Sequence, residues 1–142
     1  MTLHELINNK KADLRYIDGS ASVLDAIKSM HEGKIGSLLI QSEEGKLAGI
    51  VTERDILRFC SSRHGDVELV QVADIMTRNP VSAPPDCSNE EAMTLMTERR
   101  FRHLPIVEDG KTLGMVSIGD LVKARLQDVT VEVKYLREYL SA

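Results

Sequence analysis

The chain has 142 residues, of which 42% are apolar and 28% charged, and its formal net charge is −4. This length suits one compact domain or two closely packed halves, and the ordinary apolar content argues against intrinsic disorder. The slight negative charge argues against binding to nucleic acid or to an anionic membrane surface through bulk charge. No apolar run reaches the roughly 20 residues that a membrane-spanning helix needs.

The cysteines and the N-terminus indicate a cytoplasmic protein. The sequence begins MTLHE, which lacks the basic-then-apolar pattern of a signal peptide. Cys60 and Cys87 share no metal-type spacing with each other or with a histidine. We therefore expect two reduced thiols with structural roles, no metal site and a cytoplasmic location.

The first half predicts helices at both ends of a β-hairpin. In chain order we expect a helix over 3–9, an extended segment over 14–17, a helix capped by Ser22, strands over 37–41 and 47–51, and a helix over 52–60. Residues 43–46 form the predicted turn, in which Gly45 supplies the unusual backbone angle. The most loop-like stretch is 61–67, which is the natural linker.

The second half predicts the same order of elements. We expect a short helix over 72–76, an extended segment over 81–83, a helix capped by Ser88, strands over 103–107 and 113–116, and a last helix from about Ser117. The last helix either runs on or restarts after Asp128. Its apolar stripe consists of Val129, Val133, Leu136 and Leu140. Such a stripe is typical of a face that packs on the body or on a partner helix, although it is short and charged for a coiled coil.

A signature that occurs twice explains this similarity. Residues 49–55 (GIVTERD) and 114–120 (GMVSIGD) both read Gly, two apolar residues, a hydroxyl residue, two variable positions and Asp. The copies lie 65 positions apart, and upstream positions match at a spacing of 66, as Ser22 does with Ser88. A half of about 60 residues is marginal alone, so we expect the two repeats to share one core.

Each signature has two physical interpretations. Thr52 and Ser117 are placed as helix N-caps, and Asp55 and Asp120 follow three residues later, which resembles a capping box. The same groups at a helix start also suit a nucleotide, because the helix N-terminus attracts phosphate and a carboxylate accepts bonds from a ribose diol. Arg54 can hold phosphate in the first copy. Gly119 stands at its position in the second, so we expect different phosphate handling.

The arrangement resembles the CBS-domain pair, or Bateman module, over roughly residues 13–126. The resemblance rests on the repeated signature, on 102–107 (RHLPIV) and on 74–77 (DIMT) before 79–81 (NPV). It implies an α/β (α+β) fold of two tandem repeats, each a small sheet flanked by helices, related by pseudo-two-fold symmetry. We expect an N-terminal segment and first repeat over 1–66, a second repeat over 67–127 and a C-terminal helical tail over 128–142. A stand-alone type is expected.

Such pairs bind adenosyl ligands such as AMP, ATP, NAD or S-adenosylmethionine in two clefts between the repeats. The resemblance implies ribose contacts for Asp55 and Asp120, and contacts near ribose and phosphate for Thr52 and Ser117. Arg102 is the best further candidate for phosphate, and His103 either donates to phosphate or bonds to backbone. The residues expected around the base are Ile17, Gly36, Ser37, Leu38, Ala83, His103, Leu104 and Pro105.

The two copies differ around these positions. The first has Gly36-Ser37-Leu38-Leu39 where the second has Arg102-His103-Leu104-Pro105. The first also has Asp18-Gly19-Ser20 where the second has Pro84-Pro85-Asp86. Equal occupancy of the two clefts is therefore not expected.

The sequence predicts an adenine-nucleotide sensor that signals through a change in the arrangement of repeats or of a homodimer. The resemblance implies a disc-like homodimer with helices from each repeat at its interface. The alternatives are a ligand-free module that docks on a protein partner and a sensor of S-adenosylmethionine. No catalytic triad, metal-spaced cluster or P-loop is present in the sequence, so we do not expect an enzyme.

Overall fold

The computed structural model describes residues 1–9, 14–63 and 66–141, with only the backbone of Asn9 and Arg63. The helices are α1 (Leu3–Asn9), α2 (Val23–Gly33), α3 (Glu53–Arg63), α4 (Val72–Ile75), α5 (Asn89–Arg99) and α6 (Ile118–Ser141). The strands are β1 (Ser37–Gln41), β2 (Leu47–Thr52), β3 (Thr77–Arg78), β4 (His103–Glu108) and β5 (Lys111–Ser117). This mixture of helices and two small sheets confirms the predicted α/β (α+β) class.

The chain packs as two compact units that are not contiguous in sequence. The first-repeat unit comprises Ala12–Val81 and Glu108–Thr112. The second-repeat unit comprises Met1–Lys11, Ser82–Val107 and Leu113–Ala142. The N-terminal helix therefore packs with the second repeat. The division of the chain at 66/67 and 127/128 stays a prediction.

The first-repeat unit is built on the antiparallel sheet β1-β2-β3. β1 and β2 pair with Ser37 opposite Thr52 and Leu38 opposite Val51, and Tyr16 bridges in parallel to Leu39. Ser22 caps α2 as predicted, because its hydroxyl accepts the Asp25 N–H at 3.0 Å. The core of this unit consists of Ala26, Met30, Leu38, Ile40, Val51 and Val72.

The second-repeat unit is built on the hairpin β4-β5. Ala83 bridges in parallel to Ile106, as Tyr16 does to Leu39 in the other unit. Ser88 caps α5 as predicted, with its hydroxyl accepting the Glu91 N–H at 3.1 Å. α1 is held by the bond from the Leu3 N–H to the Cys87 carbonyl at 2.9 Å. The buried apolar residues include Leu3, Ala92, Met96, Leu104, Ile106, Val116 and Leu121.

The predicted hairpin turn is present, but the predicted linker after α3 begins later than expected. Gly45 has φ +79° in the predicted turn, where a side chain would be strained. The predicted linker at 61–67 is wrong at its start, because α3 continues through Arg63. The Ser61 and Ser62 hydroxyls donate to the Arg58 and Phe59 carbonyls at 2.8 and 3.1 Å, so the serines stay within the helix. Residues 64 and 65 lie outside the described part of the chain.

The last helix is a single element. α6 runs on through Asp128 to Ser141, which settles the alternatives left by the sequence. Its buried residues are Leu121 and Ala124. Beyond Ala124 every described residue is exposed except the half-buried Asp128. The predicted stripe therefore gains no cover from its own chain.

Candidate functional site

The first signature folds into a reciprocal cap at the start of α3. The Thr52 N–H donates to Asp55 Oδ2 at 2.9 Å, and the Thr52 hydroxyl donates to the same oxygen at 3.2 Å. The Asp55 N–H lies 3.3 Å from Thr52 Oγ1, which is placed to accept it. Both ends of the capping box are thus present, with Asp in place of the usual Glu or Gln.

The second signature repeats this geometry at the start of α6. The Ser117 N–H donates to Asp120 Oδ2 at 2.8 Å, and the Asp120 N–H donates to Ser117 Oγ at 3.1 Å. The carboxylate also favours the positive end of the helix dipole. The capping interpretation is therefore realised in both repeats. The acceptor in these cap bonds is Oδ2 of each aspartate.

The two carboxylates differ in their surroundings. Asp55 is 7% exposed, and its Oδ1 lies 3.8 Å from Arg58 Nη1 one turn along α3. Asp120 is half-buried. Arg58 was not predicted from the sequence, although its position three residues after Asp55 on a helix was a signal for the pairing. The Arg58 side chain is 72% exposed, so this ion pair adds little to stability.

Backbone bonds place the start of each middle strand beside its signature. The Glu53 N–H donates to the Gly36 carbonyl at 3.1 Å, and the Ile118 N–H donates to the Arg102 carbonyl at 2.9 Å. Within the first-repeat unit this brings Gly36 and Ser37 next to Thr52, with Ser37 and Thr52 also paired in register. Arg102 and His103 lie equivalently in the second-repeat unit. Each repeat thus brings the predicted residues at the start of its middle strand next to its own signature.

Ile17 and Ala83 lie on the segments that run beside β1 and β4. The Ile17 N–H donates to the Leu39 carbonyl at 2.9 Å, and the Ala83 N–H donates to the Pro105 carbonyl at 3.1 Å. The side chains of Leu38, Leu104 and Pro105 are fully buried. These three residues support the strands from within the core and present almost no side-chain surface.

An exposed arginine lies near the signature of each repeat. Arg54 and Arg102 are exposed, His103 is half-buried, and Gly119 is exposed at the position equivalent to Arg54. In each first helical turn, two N–H groups are already bonded to the protein, one to the carbonyl of Gly36 or Arg102 and the other to the cap hydroxyl. A phosphate at these helices would therefore rely on arginine side chains more than a bare helix N-terminus would require.

The segments that precede α2 and α5 also differ. The Ser20 N–H and hydroxyl both donate to Asp18 Oδ1, at 3.0 and 2.9 Å, which lowers the pKa of that carboxyl. The same backbone turn occurs in both repeats, because the Ala21 N–H donates to the Asp18 carbonyl at 3.0 Å and the Cys87 N–H donates to the Pro84 carbonyl at 3.2 Å. The repeats differ in the added carboxylate bonds of Asp18, which Pro84 cannot make.

Cys87 is expected to react slowly with thiol reagents. Burial raises the pKa of its thiol, and the charges of Glu91 and Asp86 raise it further. The Cys60→Ser variant leaves Cys87 as the reacting thiol. Since the thiolate is the reactive form, the rate of its reaction with dithiobis(nitrobenzoate) should rise with a pH midpoint above that of a cysteine peptide measured alongside. Glu91→Gln in the same background should lower the midpoint. A midpoint at or below that of the peptide would contradict this assignment.

The structure also bears on metal and membrane sites. In the part of the chain that the structure describes, no three His, Cys, Asp or Glu side chains form a group that could hold a metal ion. Within residues 1–9, 14–63 and 66–141, no helix combines the length and apolar character needed to cross a bilayer.

Comparison with known proteins gives consistent matches. The sequence profile of the CBS domain matches residues 7–62 and 72–127. The CBS domain-containing protein CBSX3, mitochondrial, of Arabidopsis thaliana is 38% identical over 123 residues, which cover 84% of this chain. The chain spans 60% of the length of that plant relative.

Solved structures match over most of the chain. The crystal structure of a CBS-domain containing protein from Agrobacterium tumefaciens has a TM-score of 0.83 and 32% identity, covering 88% of this chain and 99% of that one. The crystal structure of CBSX2 in complex with AMP has a TM-score of 0.74 and 28% identity, covering 89% of this chain and 96% of that one.

Proposed function

The chain belongs to the CBS-domain family and is a regulatory module of two tandem CBS domains, and we propose that the ligand it senses is an adenine nucleotide. The observation that carries the proposal is the duplicated hydroxyl–carboxylate cluster at a helix start, with an exposed arginine nearby in each unit. The AMP complex of the related CBSX2 supports this class of ligand.

Each cluster offers complementary groups to parts of a nucleotide. Asp55 and Asp120 accept the ribose hydroxyls, and Thr52 and Ser117 lie near the ribose and first phosphate. Arg54 holds phosphate in the first repeat, and Arg102, aided by His103, does so in the second. Gly119 contributes no charge, so the second repeat depends on Arg102. The base lies against the backbone of the remaining predicted positions, since the side chains of three of them are fully buried; these positions are Ile17, Gly36, Ser37, Leu38, Ala83, Leu104 and Pro105.

Sensing requires that the ligand bind one arrangement of the protein better than another. The change we propose is in the arrangement of the repeats or of a homodimer. AMP, ATP and NAD are the preferred ligands, with S-adenosylmethionine as the alternative adenosyl compound. The proposal includes no catalysis, no bound metal, no nucleic-acid partner and no membrane partner. A cytoplasmic location stays a prediction, and the plant relative is named as mitochondrial.

A ligand-free interaction module is the second candidate function. It is favoured by the exposed apolar residues of α6 and by the complete capping boxes, which give both aspartates a role without any ligand. Under this alternative the chain would dock on a protein partner through its helices. The two functions differ in what nucleotide does to the stability of the chain.

A thermal-shift screen against AMP, ADP, ATP, NAD, NADH and S-adenosylmethionine tests the sensor. A ligand at 100 times its Kd should stabilise the protein by about 2.7 kcal/mol. For a chain of this size that raises Tm by several degrees, roughly 2–8 °C per kcal/mol. Before the screen, the protein is unfolded, separated from any nucleotide retained from the cell, and refolded. No shift with any compound would favour the interaction module.

A further inference from the structure

The exposed part of α6 carries an apolar stripe with a heptad pattern. This stripe is longer than the predicted one. It consists of Val122, Leu126, Val129, Val133, Leu136 and Leu140 and is hereafter called the α6 stripe. Its members are 38–80% exposed. Their spacings alternate between four and three residues without a break, which is the a/d pattern of a two-stranded coiled coil.

The α6 stripe is separate from the face that anchors the helix. At about 100° of rotation per residue, its centre lies roughly 100° around the axis from Leu121, which is fully buried. Near this buried residue, Arg125 forms an exposed ion pair with Glu90 on α5 at 3.4 Å. The stripe extends about 27 Å along the helix at 1.5 Å per residue. Most of the stability of a helix in a protein comes from packing of its apolar face, so the exposed apolar face of α6 is expected to pack on a partner.

The charged residues beside the α6 stripe favour a second copy of α6 as the partner, in parallel orientation. The a positions are Leu126, Val133 and Leu140, and the d positions are Val122, Val129 and Leu136. This register puts Glu132 at g and Arg137 at the following e position. In a parallel pair of identical helices, Glu132 of one copy faces Arg137 of the other, and symmetry makes this attraction twice.

The antiparallel arrangement is disfavoured by the same residues. When the two stripes overlap fully in opposite directions, Val122 of one copy lies beside Leu140 of the other. Each e position then faces an e position, and each g position faces a g position. Lys123 then faces Arg137 of the other copy, and Glu132 faces its own counterpart. These pairs are all of like charge, which is unfavourable at close range. The pattern is therefore self-complementary in one direction only.

We propose that α6 pairs with α6 of a second copy of this chain as a parallel two-stranded coiled coil along the α6 stripe. The pairing covers the exposed apolar residues and satisfies Glu132 and Arg137. In the central layers, Val133 at a and Leu136 at d are the residue types that favour two strands. The proposal concerns assembly and does not depend on nucleotide, so a failed ligand screen leaves it standing.

Disulfide trapping without nucleotide tests both the contact and its direction. In a Cys60→Ser/Cys87→Ser background, Leu136→Cys should oxidise to a covalent dimer at least about 10-fold faster than Val131→Cys, because identical d positions meet in a parallel pair. Val131 is a matched control, since it is exposed on α6 and lies outside the stripe. Equal rates at 136 and 131 would overturn the proposal. Cross-linking of Leu126→Cys with Leu136→Cys but not of Leu136→Cys with itself would overturn the parallel direction.

Charged substitutions provide a second readout. Added to the Leu136→Cys variant, Val133→Glu should slow cross-linking about 10-fold or more by placing unpaired charge in the core, whereas Val131→Glu should not. Both positions are exposed in the single chain, so both variants should fold. Glu132→Arg and Arg137→Glu should each slow the reaction, and the double variant should restore it. Failure of the double variant to restore cross-linking would contradict the proposed pairing of Glu132 with Arg137.

Discussion

Asp120→Ala is expected to weaken nucleotide binding about 10- to 100-fold while the chain stays folded. The variant removes the charged acceptor proposed for the ribose hydroxyls, and a hydrogen bond to a charged group contributes about 1.5–3 kcal/mol. It also removes the acceptor of the Ser117 N–H, at 2.8 Å, so a stability loss of about 0.5–2 kcal/mol accompanies it. Calorimetric titration well below Tm measures the affinity, and thermal unfolding measures the cap.

Ser88→Ala separates the two roles. Its hydroxyl accepts the Glu91 N–H at 3.1 Å at the start of α5, so the variant removes a cap of similar geometry without touching the proposed ligand groups. Its stability should fall by a similar amount and its affinity should stay constant. If Asp120→Ala behaves like Ser88→Ala in both measurements, Asp120 only caps α6. Asp55→Ala should lose more stability than Asp120→Ala, because Asp55 is the more deeply buried carboxylate.

Gly49→Ala is expected to lower the free energy of unfolding by about 1–3 kcal/mol through overpacking. A Cβ at this position would lie 2.6 Å from Met76 Sδ and 3.0 Å from the Thr77 carbonyl oxygen. The methionine can move, but the carbonyl belongs to β3, which pairs with β2 at this residue. Met76→Ala should therefore rescue Gly49→Ala only in part. Chemical denaturation measures the loss, and an unchanged midpoint would contradict the close approach.

Gly114 and Gly119 provide the comparison. A Cβ at Gly114 would lie 2.8 Å from Ile7 Cγ2, and the three atoms nearest to it all belong to that side chain. Gly114→Ala should therefore show a favourable coupling with Ile7→Ala in a double-mutant cycle. A Cβ at Gly119 would meet only Ser117 Oγ, at 3.6 Å, so Gly119→Ala should not destabilise the fold. A loss with Gly119→Ala equal to that with Gly49→Ala would show that the effect is not steric.

Local rules explain what could be predicted of the fold. Ser22 and Ser88 cap their helices, Gly45 has a positive φ, and the repeated signature forms the same cap twice. Each of these features depends on residues within four positions of one another. The prediction was less accurate where a distant segment decides the outcome. Gly49 and Gly114 lie inside β2 and β5, where Met76 and Ile7 approach them, and no local spacing in the sequence indicates these neighbours.

The candidate site divides in the same way. The sequence identified the hydroxyl and carboxylate of each repeat, because their spacing along a helix start is a local property. It could not show that Glu53 bonds to the Gly36 carbonyl, or that Leu38, Leu104 and Pro105 are enclosed by the core. Those facts depend on strand pairing and packing between segments far apart in the chain. The pairing of Arg58 with Asp55 could have been predicted from their spacing of three residues on a helix, but it was not.

The sequence by itself determined the duplication, the order of helices and strands, the caps and the family resemblance, because these follow from residue type, period and spacing. Tertiary structure alone decided that α1 packs with the second repeat, that Asp55 is more enclosed than Asp120, and that the stripe of α6 is uncovered. The reason is physical: a hydrophobic period shows that a face must be buried, but not what buries it. That depends on the surfaces which folding brings together, and for α6 its own chain supplies none beyond Ala124 among the described residues.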